Sequence, residues 1–327
     1  MINPTILATQ VAVLVLMMIP GFLLAKFNLV GNDFGKSISN LVLYAAQPAL
    51  IIMGFVSVDF DVSILLRMLA VFLFALVAHL IFYGISLLFY KNAPQKKKSV
   101  LTFATVFTNA GYMGIPLLEA LFANEFPEIA IYGSVYIFAF NIFCWSLGPY
   151  LYTGDKKYIS VRKMFLNPAT ISTFVGLFVF FLSAFSPIRD AVIMPFVRGE
   201  SIVRSLIVGM KNLVAPLSML LIGYRFASVK LRGVFRDKYL YISLFVCLFL
   251  SPALIFALVR IFALLGIYND PLTLSVLLMS SAAPAATATG MFAEKYDGDA
   301  AYASLIVSFT SVLCVISMPL LSLLTLI

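Results

Sequence analysis

Two stretches of this sequence carry chemistry that an uninterrupted helix would not offer. The first reads Asn109-Ala110-Gly111-Tyr112-Met113-Gly114-Ile115-Pro116, with two glycines and a proline within six residues. Glycine loosens a helix, proline removes a backbone donor, and proline also suits the first turn of a new helix. The second reads Ser281-Ala282-Ala283-Pro284-Ala285-Ala286-Thr287-Ala288-Thr289-Gly290, with almost no bulky side chain. Each predicts two half-helices with an unwound joint. A half-helix N-terminus carries free N–H groups and a partial positive charge, which suit an anion. The Asn109 amide adds donors and an acceptor, and Thr287 and Thr289 add hydroxyls. The predicted chemistry is therefore recognition of an anion, with Asn109, Gly111, Gly114, Pro116, Pro284, Thr287 and Thr289 as the candidate site. For one such stretch alone, a structural kink with tight packing is an equal reading. Two at equivalent positions favour a site.

Bond-making chemistry has no comparable signature. Metalloprotease HExxH, Gly-x-Ser-x-Gly and P-loop motifs are absent, and no pair of intramembrane aspartates stands out. His79 is the only histidine, which excludes a His-pair metal site. The expectation is no enzyme, no metal and no cofactor. His79 lies near the middle of an apolar stretch, where a proton relay and a neutral, interhelically bonded histidine compete, the second being favoured. Lys211, seven residues into its own apolar stretch, either pairs with a substrate carboxylate or snorkels across roughly 10 Å of helix to the headgroups. Arg260 reads as a snorkelling residue, Gln47 and Asn141 as interhelical hydrogen-bonding groups, and Glu119 as facing an outer vestibule. Cys144, Cys247 and Cys314 follow no spacing motif and read as small core residues.

These residues need a membrane around them. Of the 327 residues, 62% are hydrophobic and only 11% are charged, against about 25% charged in a soluble domain. A spanning helix needs about 20 apolar residues. Uncharged stretches cover 1–25, 37–58, 68–90, 99–118, 129–154, 164–188, 239–259, 271–293 and 300–327, and a tenth, 205–224, is interrupted only by Lys211. Ten transmembrane helices are predicted, the two interrupted stretches being spans 4 and 9. Met1–Ala25 has no charge and reads as the first span rather than as a signal peptide. With both termini outside, 16 of the 22 basic residues fall in inner loops: Lys26, Lys36, Lys91, Lys96, Lys97, Lys98, Lys156, Lys157, Arg162, Lys163, Arg225, Lys230, Arg232, Arg236, Lys238 and Lys295. Outside are Arg67, Arg189, Arg198 and Arg204, with the acids Asp59, Asp61, Glu125, Glu128 and Asp270. That bias sets the orientation of a multi-pass cell-membrane protein, and it assigns the net charge of +8 to topology and anionic lipid rather than nucleic acid.

The two halves repeat. Asn3-Pro4-Thr5 opens span 1 and Asn167-Pro168-Ala169 opens span 6; Pro48 and Pro216 interrupt spans 2 and 7; spans 4 and 9 are broken by small residues and proline. Five spans is an odd number, so the second half is inverted, as in secondary transporters. The chain divides into a first five-helix repeat (1–152), a cytoplasmic link (153–167) and a second, inverted repeat (168–327). The fold class is an all-α membrane protein with a 5+5 inverted repeat and two broken, crossing helices.

Asn109 with Gly114-Ile115-Pro116, the run Ala215-Pro216-Leu217-Ser218-Met219-Leu220-Leu221-Ile222-Gly223, and Ala282-Ala283-Pro284-Ala285-Ala286 with the threonines that follow resemble the auxin efflux carrier family. That family includes plant auxin exporters and bacterial carboxylate permeases, and the likeness covers essentially the whole chain. The long central hydrophilic loop of many plant members is missing, which resembles the bacterial branch. The resemblance implies a scaffold bundle of spans 1, 2, 6 and 7 and a transport bundle of spans 3–5 and 8–10. It implies substrate at the crossing, beside Asn109, Pro116 and Pro284, and an elevator-like alternating access. The expected function is a secondary carrier of a small organic anion, chiefly a carboxylate. A sodium-coupled bile-acid-type symporter of similar fold, and then a channel, are the rival readings. The coupling ion (proton or sodium) and the oligomeric state, a homodimer among the candidates, stay open.

Overall fold

A computed structural model describes residues 4–31, 33–227, 229 and 234–326. Asn3, Lys230, Arg232 and the side chain of Arg198 lie outside the described residues. The described residues form no strands, and their main helices run in the order α1 Pro4–Lys26, α2 Phe34–Val56, α3 Val62–Phe89, α4 Gln95–Val106, α5 Ala110–Phe122, α6 Ile129–Thr153, α7 Lys156–Leu182, α8 Ile202–Ala227, α9 Lys238–Leu264, α10 Pro271–Ala282, α11 Ala288–Lys295 and α12 Ala300–Thr325, with a helical segment, Ser186–Ile188 and Arg189–Arg198, between α7 and α8. Eight of them are long and apolar enough to cross a membrane: α1, α2, α3, α6, α7, α8, α9 and α12. The two remaining apolar stretches, expected as spans 4 and 9, are each divided into a pair of short helices, α4 with α5 and α10 with α11. Neither member of a pair has the length to cross alone, because the small residues and prolines stop the helix partway.

The apolar composition is spent on two surfaces. On α3, Leu66, Leu69, Leu73, Val77 and Leu80 are exposed, while Met68, Val71, Ala75, Ala78 and Phe82 on the other side are buried. A helix apolar all round suits lipid on one face and protein on the other. Its start is fixed by Asp61, whose carboxylate accepts from the Ser63 N–H. Asp237, Asp270 and Asp299 cap α9, α10 and α12 in the same way.

Helix α1 packs on α8, and α2 packs on α7. Glycine sets the first of these distances: a Cβ on Gly21 would fall 1.9 Å from the Leu220 carbonyl oxygen, and one on Gly223 would fall 1.9 Å from that of Met18. Close backbone contact of this kind is how small residues join helices in lipid. Helix α3 packs on α6, α9 on α10, and α11 on α12, while α1 touches α12 and α2 touches α6 between these groups. Pro48 stands at the start of a regular segment, Gln47–Val56, after a wide helical turn at Val42–Ala46. Pro216 stands at the start of Val214–Ala227, just past the end of Ile202–Lys211. Both prolines therefore sit where their helices restart.

Candidate functional site

The two interruptions meet in the interior. Between α4 and α5, Phe107–Asn109 leave the helix; between α10 and α11, the chain is extended around Pro284. Thr108 and Ala285 form an isolated antiparallel bridge. The Asn109 N–H donates to the Pro284 carbonyl at 2.6 Å, and the Ala286 N–H donates to that of Phe107 at 2.8 Å. The Thr108 hydroxyl donates to the Ser280 carbonyl at 2.7 Å, and the Ala285 N–H donates to Thr310 Oγ1 on α12 at 3.2 Å. Backbone freed from a helix in a low-dielectric interior must find partners. Here each break supplies them to the other.

That pairing leaves side-chain groups uncommitted. Asn109 is 3% exposed, and its Nδ2 has no hydrogen-bond partner. It faces a cleft that also takes Gly111 and Tyr112 from the first break, Gln47 from α2, Asn141 and Trp145 from α6, Thr287 from the second break and Phe292 from α11. Three amides and three hydroxyl-bearing residues, Thr108, Tyr112 and Thr287, thus line an otherwise largely aromatic and aliphatic wall that contains no charged side chain. Pockets of this make-up, apolar with a few directed polar groups, are the usual form of a small-molecule site. Gly111 is needed for the closeness of that wall, since a Cβ there would lie 3.1 Å from Gln47 Nε2.

The remaining sequence-predicted residues fall in different places. Pro284 acts through its carbonyl in the bridge. Pro116 occupies the first turn of Ile115–Phe122, and Gly114 precedes it with only ordinary contact at 3.5 Å around its Cβ position. Thr289 is buried with its hydroxyl unpartnered, and its carbonyl accepts from Tyr152 Oη at 3.2 Å; it does not line the cleft. Lys211 is not brought to the cleft either. Its Nζ lies 2.6 Å from Glu119 Oε1, a partner neither reading of this lysine named. Gln47 accepts a long bond from Tyr112 Oη at 3.4 Å. Asn141 donates to the Ile137 carbonyl one turn back on its own helix, rather than to another helix. His79 is fully buried, with Nδ1 2.7 Å from the Ala75 carbonyl on the same helix and Nε2 unpartnered.

One residue of the site area was not singled out by the sequence. Arg225, read only as an inner-loop cation, folds back along α11. Its Nη1 lies 3.4 Å from the Thr287 carbonyl and its Nη2 lies 3.9 Å from Glu294 Oε1. A Cβ on Gly290 would come within 2.3 Å of Nη1, so the bare glycine makes the seat for the guanidinium. The signal available in the sequence was indirect: an arginine at the last turn of an apolar helix, and a glycine in a small-residue stretch 65 positions later.

A family model described as a membrane transport protein matches residues 6–153 and 155–322, nearly the whole chain. No curated protein gives a significant sequence match.

Proposed function

The chain belongs to the membrane transport family, that of the auxin efflux carriers, and we propose that it is a secondary carrier of a small organic anion, chiefly a carboxylate. In this reading α4 with α5 and α10 with α11 each make one crossing, which gives ten in two inverted sets of five. The observation that carries the proposal is the buried, unpartnered Asn109 amide at the meeting point of the two breaks, facing a cleft. An amide held dry without a partner costs about 1–3 kcal/mol, and a transient ligand is what would offset that cost. Anion selectivity is supported by the absence of any carboxylate in the cleft wall and by the positive dipole ends at the starts of α5 and α11. A cation there would lose its hydration and gain little.

The cleft lies between α2 on one side and α6 with the two breaks on the other. Helices α1, α2, α7 and α8 would serve as the scaffold and α3–α6 with α9–α12 as the moving bundle, with substrate carried at their boundary. The protein would sit in the cell membrane with both termini outside. Impermeant thiol reagents should then reach single cysteines at Asp59 and Glu125 but not at Lys97 or Lys157 in intact cells.

Exchange in proteoliposomes tests the function. A panel of carboxylates and matched amines is offered, with sodium and pH gradients varied independently. Saturable exchange of at least one carboxylate is expected. Saturable movement of an amine, with no response to any carboxylate, would overturn the anion assignment; flux that does not saturate would indicate a channel.

A further inference from the structure

Three consecutive lysines in the first turn of α4 are not alike. Lys96 lies 3.1 Å from Asp297, and Lys97 is bonded to Asp237. Lys98 has no acidic partner among the described residues. It is half-buried and lines a pocket between α3, α4 and the end of α6, together with Tyr83, Leu87, Gln95, Thr102 and Tyr150. No acidic side chain lines that pocket. Asp155, which follows the lining residue Gly154, is turned to Lys157 at 2.9 Å. Helix α4 starts at Gln95 without a side-chain cap, so the positive end of its dipole adds to the Lys98 charge. The pocket is an uncompensated positive site with hydroxyl and amide groups around it, which suits an oxyanion. It shares no lining residue with the cleft at the two breaks.

Apolar surface adjoins this charge. Leu87 lines the pocket and is itself exposed, and Val77, Leu80 and Leu88 continue the exposed apolar face of α3. Lysine and tyrosine, each an apolar body with a polar tip, are the side chains that suit the level of lipid headgroups. A small soluble anion would use the charge alone, whereas a phospholipid would use both the charge and the apolar face. We propose that Lys98, the start of α4 and the phenols of Tyr83 and Tyr150 hold the phosphodiester of an anionic phospholipid, with an acyl chain lying along the exposed face of α3. A basic pocket between spanning helices is the kind of site that selects such a headgroup. Helices α3, α4 and α6 all belong to the proposed moving bundle, so the bound lipid would tie one end of that bundle to the headgroup layer. The assignment stands apart from the identity of the transported substrate.

Native mass spectrometry of the purified full-length protein tests this, with dioleoyl phosphatidylglycerol and dioleoyl phosphatidylcholine offered at equal concentration. The two lipids share the phosphodiester and the chains and differ in net charge. The wild type should retain phosphatidylglycerol over phosphatidylcholine by about fivefold or more, the scale of one lysine at an anionic headgroup. Lys98→Gln should bring that ratio close to one, and Lys98→Arg should keep it. Lys91→Gln, at an exposed lysine outside the pocket, should leave it unchanged. A ratio that survives Lys98→Gln would overturn the assignment. So would an equal loss in Lys91→Gln, which would make the selection a property of the basic surface as a whole. Glycerol phosphate, the soluble headgroup fragment, should not displace the lipid at equal concentration; displacement would make the pocket a free-anion site and overturn the lipid. Should Lys98→Gln fail to fold, Tyr83→Phe combined with Tyr150→Phe removes both hydroxyls and must lower the retention of phosphatidylglycerol; unchanged retention there would count against the proposal. None of these outcomes bears on the carrier reading, which the exchange experiment tests by itself.

Discussion

The first interruption carries its own uncommitted amide, whereas the second is met by a charged side chain from another helix. Between α4 and α5 the residue that leaves the helix, Asn109, carries the free amide, and Gln47 packs close to the bare Gly111. Between α10 and α11 the residues around Pro284 are alanines, and the charge arrives from the end of α8 as Arg225. The backbone device is shared, an antiparallel bridge in which each break satisfies the other. The difference shows two ways to place a polar group at membrane depth. A polar side chain within the break is fixed by the break. Small residues in the break leave space, and a long side chain from a neighbour fills it.

The largest effect is expected from removing the group that the first break carries. Asn109→Ala should weaken anion binding about 10- to 100-fold, the value of a hydrogen bond to a charged ligand, and exchange should fall accordingly. Because Nδ2 has no hydrogen-bond partner, the thermal midpoint should stay within about 2 °C of wild type. Undiminished exchange would remove Asn109 from the site, and a large loss of stability would make its role structural.

Alanine at a glycine of each break sharpens the comparison. Gly290→Ala places a Cβ within 2.3 Å of Arg225 Nη1; the end of a flexible side chain can yield, so the fold should survive while the guanidinium moves. Exchange should slow, because the second break loses the seat that holds the guanidinium beside the Thr287 carbonyl. Gly114→Ala meets only ordinary contact at 3.5 Å and should bind as wild type does. Equal effects at both would mean that the second break acts through helix flexibility and not through Arg225.

How much of this was readable beforehand follows from the range of each interaction. The two breaks were visible because glycine and proline act on their own backbone, and the membrane class was visible because composition is a sum over residues. Asn109 was visible because it lies inside a break. The bridge between Thr108 and Ala285 was not, since nothing in either segment encodes its partner's register. Arg225 was hidden among basic residues that the positive-inside rule already explained. Lys211 was read against lipid and ligand, the two partners inferable from one helix, whereas its partner Glu119 is 92 residues away.

That ion pair gives a smaller prediction at a third place. Both side chains are about one-fifth exposed, at 21% and 22%, so a double-mutant cycle with Lys211→Gln and Glu119→Gln should return a coupling of about 0.5–1 kcal/mol in stability. Lys211→Gln and Lys211→Arg should bind the carboxylate equally well. A marked loss with Gln alone would bring Lys211 back to the site.

The smallest effect on transport is expected at His79, which is as deeply buried as Asn109 but placed to do something else. Its ring stacks on Phe143, with centroids 5.3 Å apart and planes 6° from parallel, and Phe82, Phe107, Tyr136 and Phe140 surround it. Nδ1 donates within the helix to the Ala75 carbonyl, and Nε2 has no hydrogen-bond partner. A relay needs a donor or acceptor at each end of its path, and the ring contacts around this imidazole are aromatic. Phe140 also lines the cleft and Phe107 belongs to the first break, so the imidazole is packing behind the cleft wall. His79→Asn can keep a donor near the position of Nδ1 but loses ring volume. It should lower stability by about 1–3 kcal/mol and leave the pH profile of exchange between about pH 5.5 and 8 unchanged in shape, the range over which an ordinary histidine titrates. A profile that flattens in the Asn variant while exchange persists would make His79 a proton carrier after all, and would move the coupling site away from the two breaks.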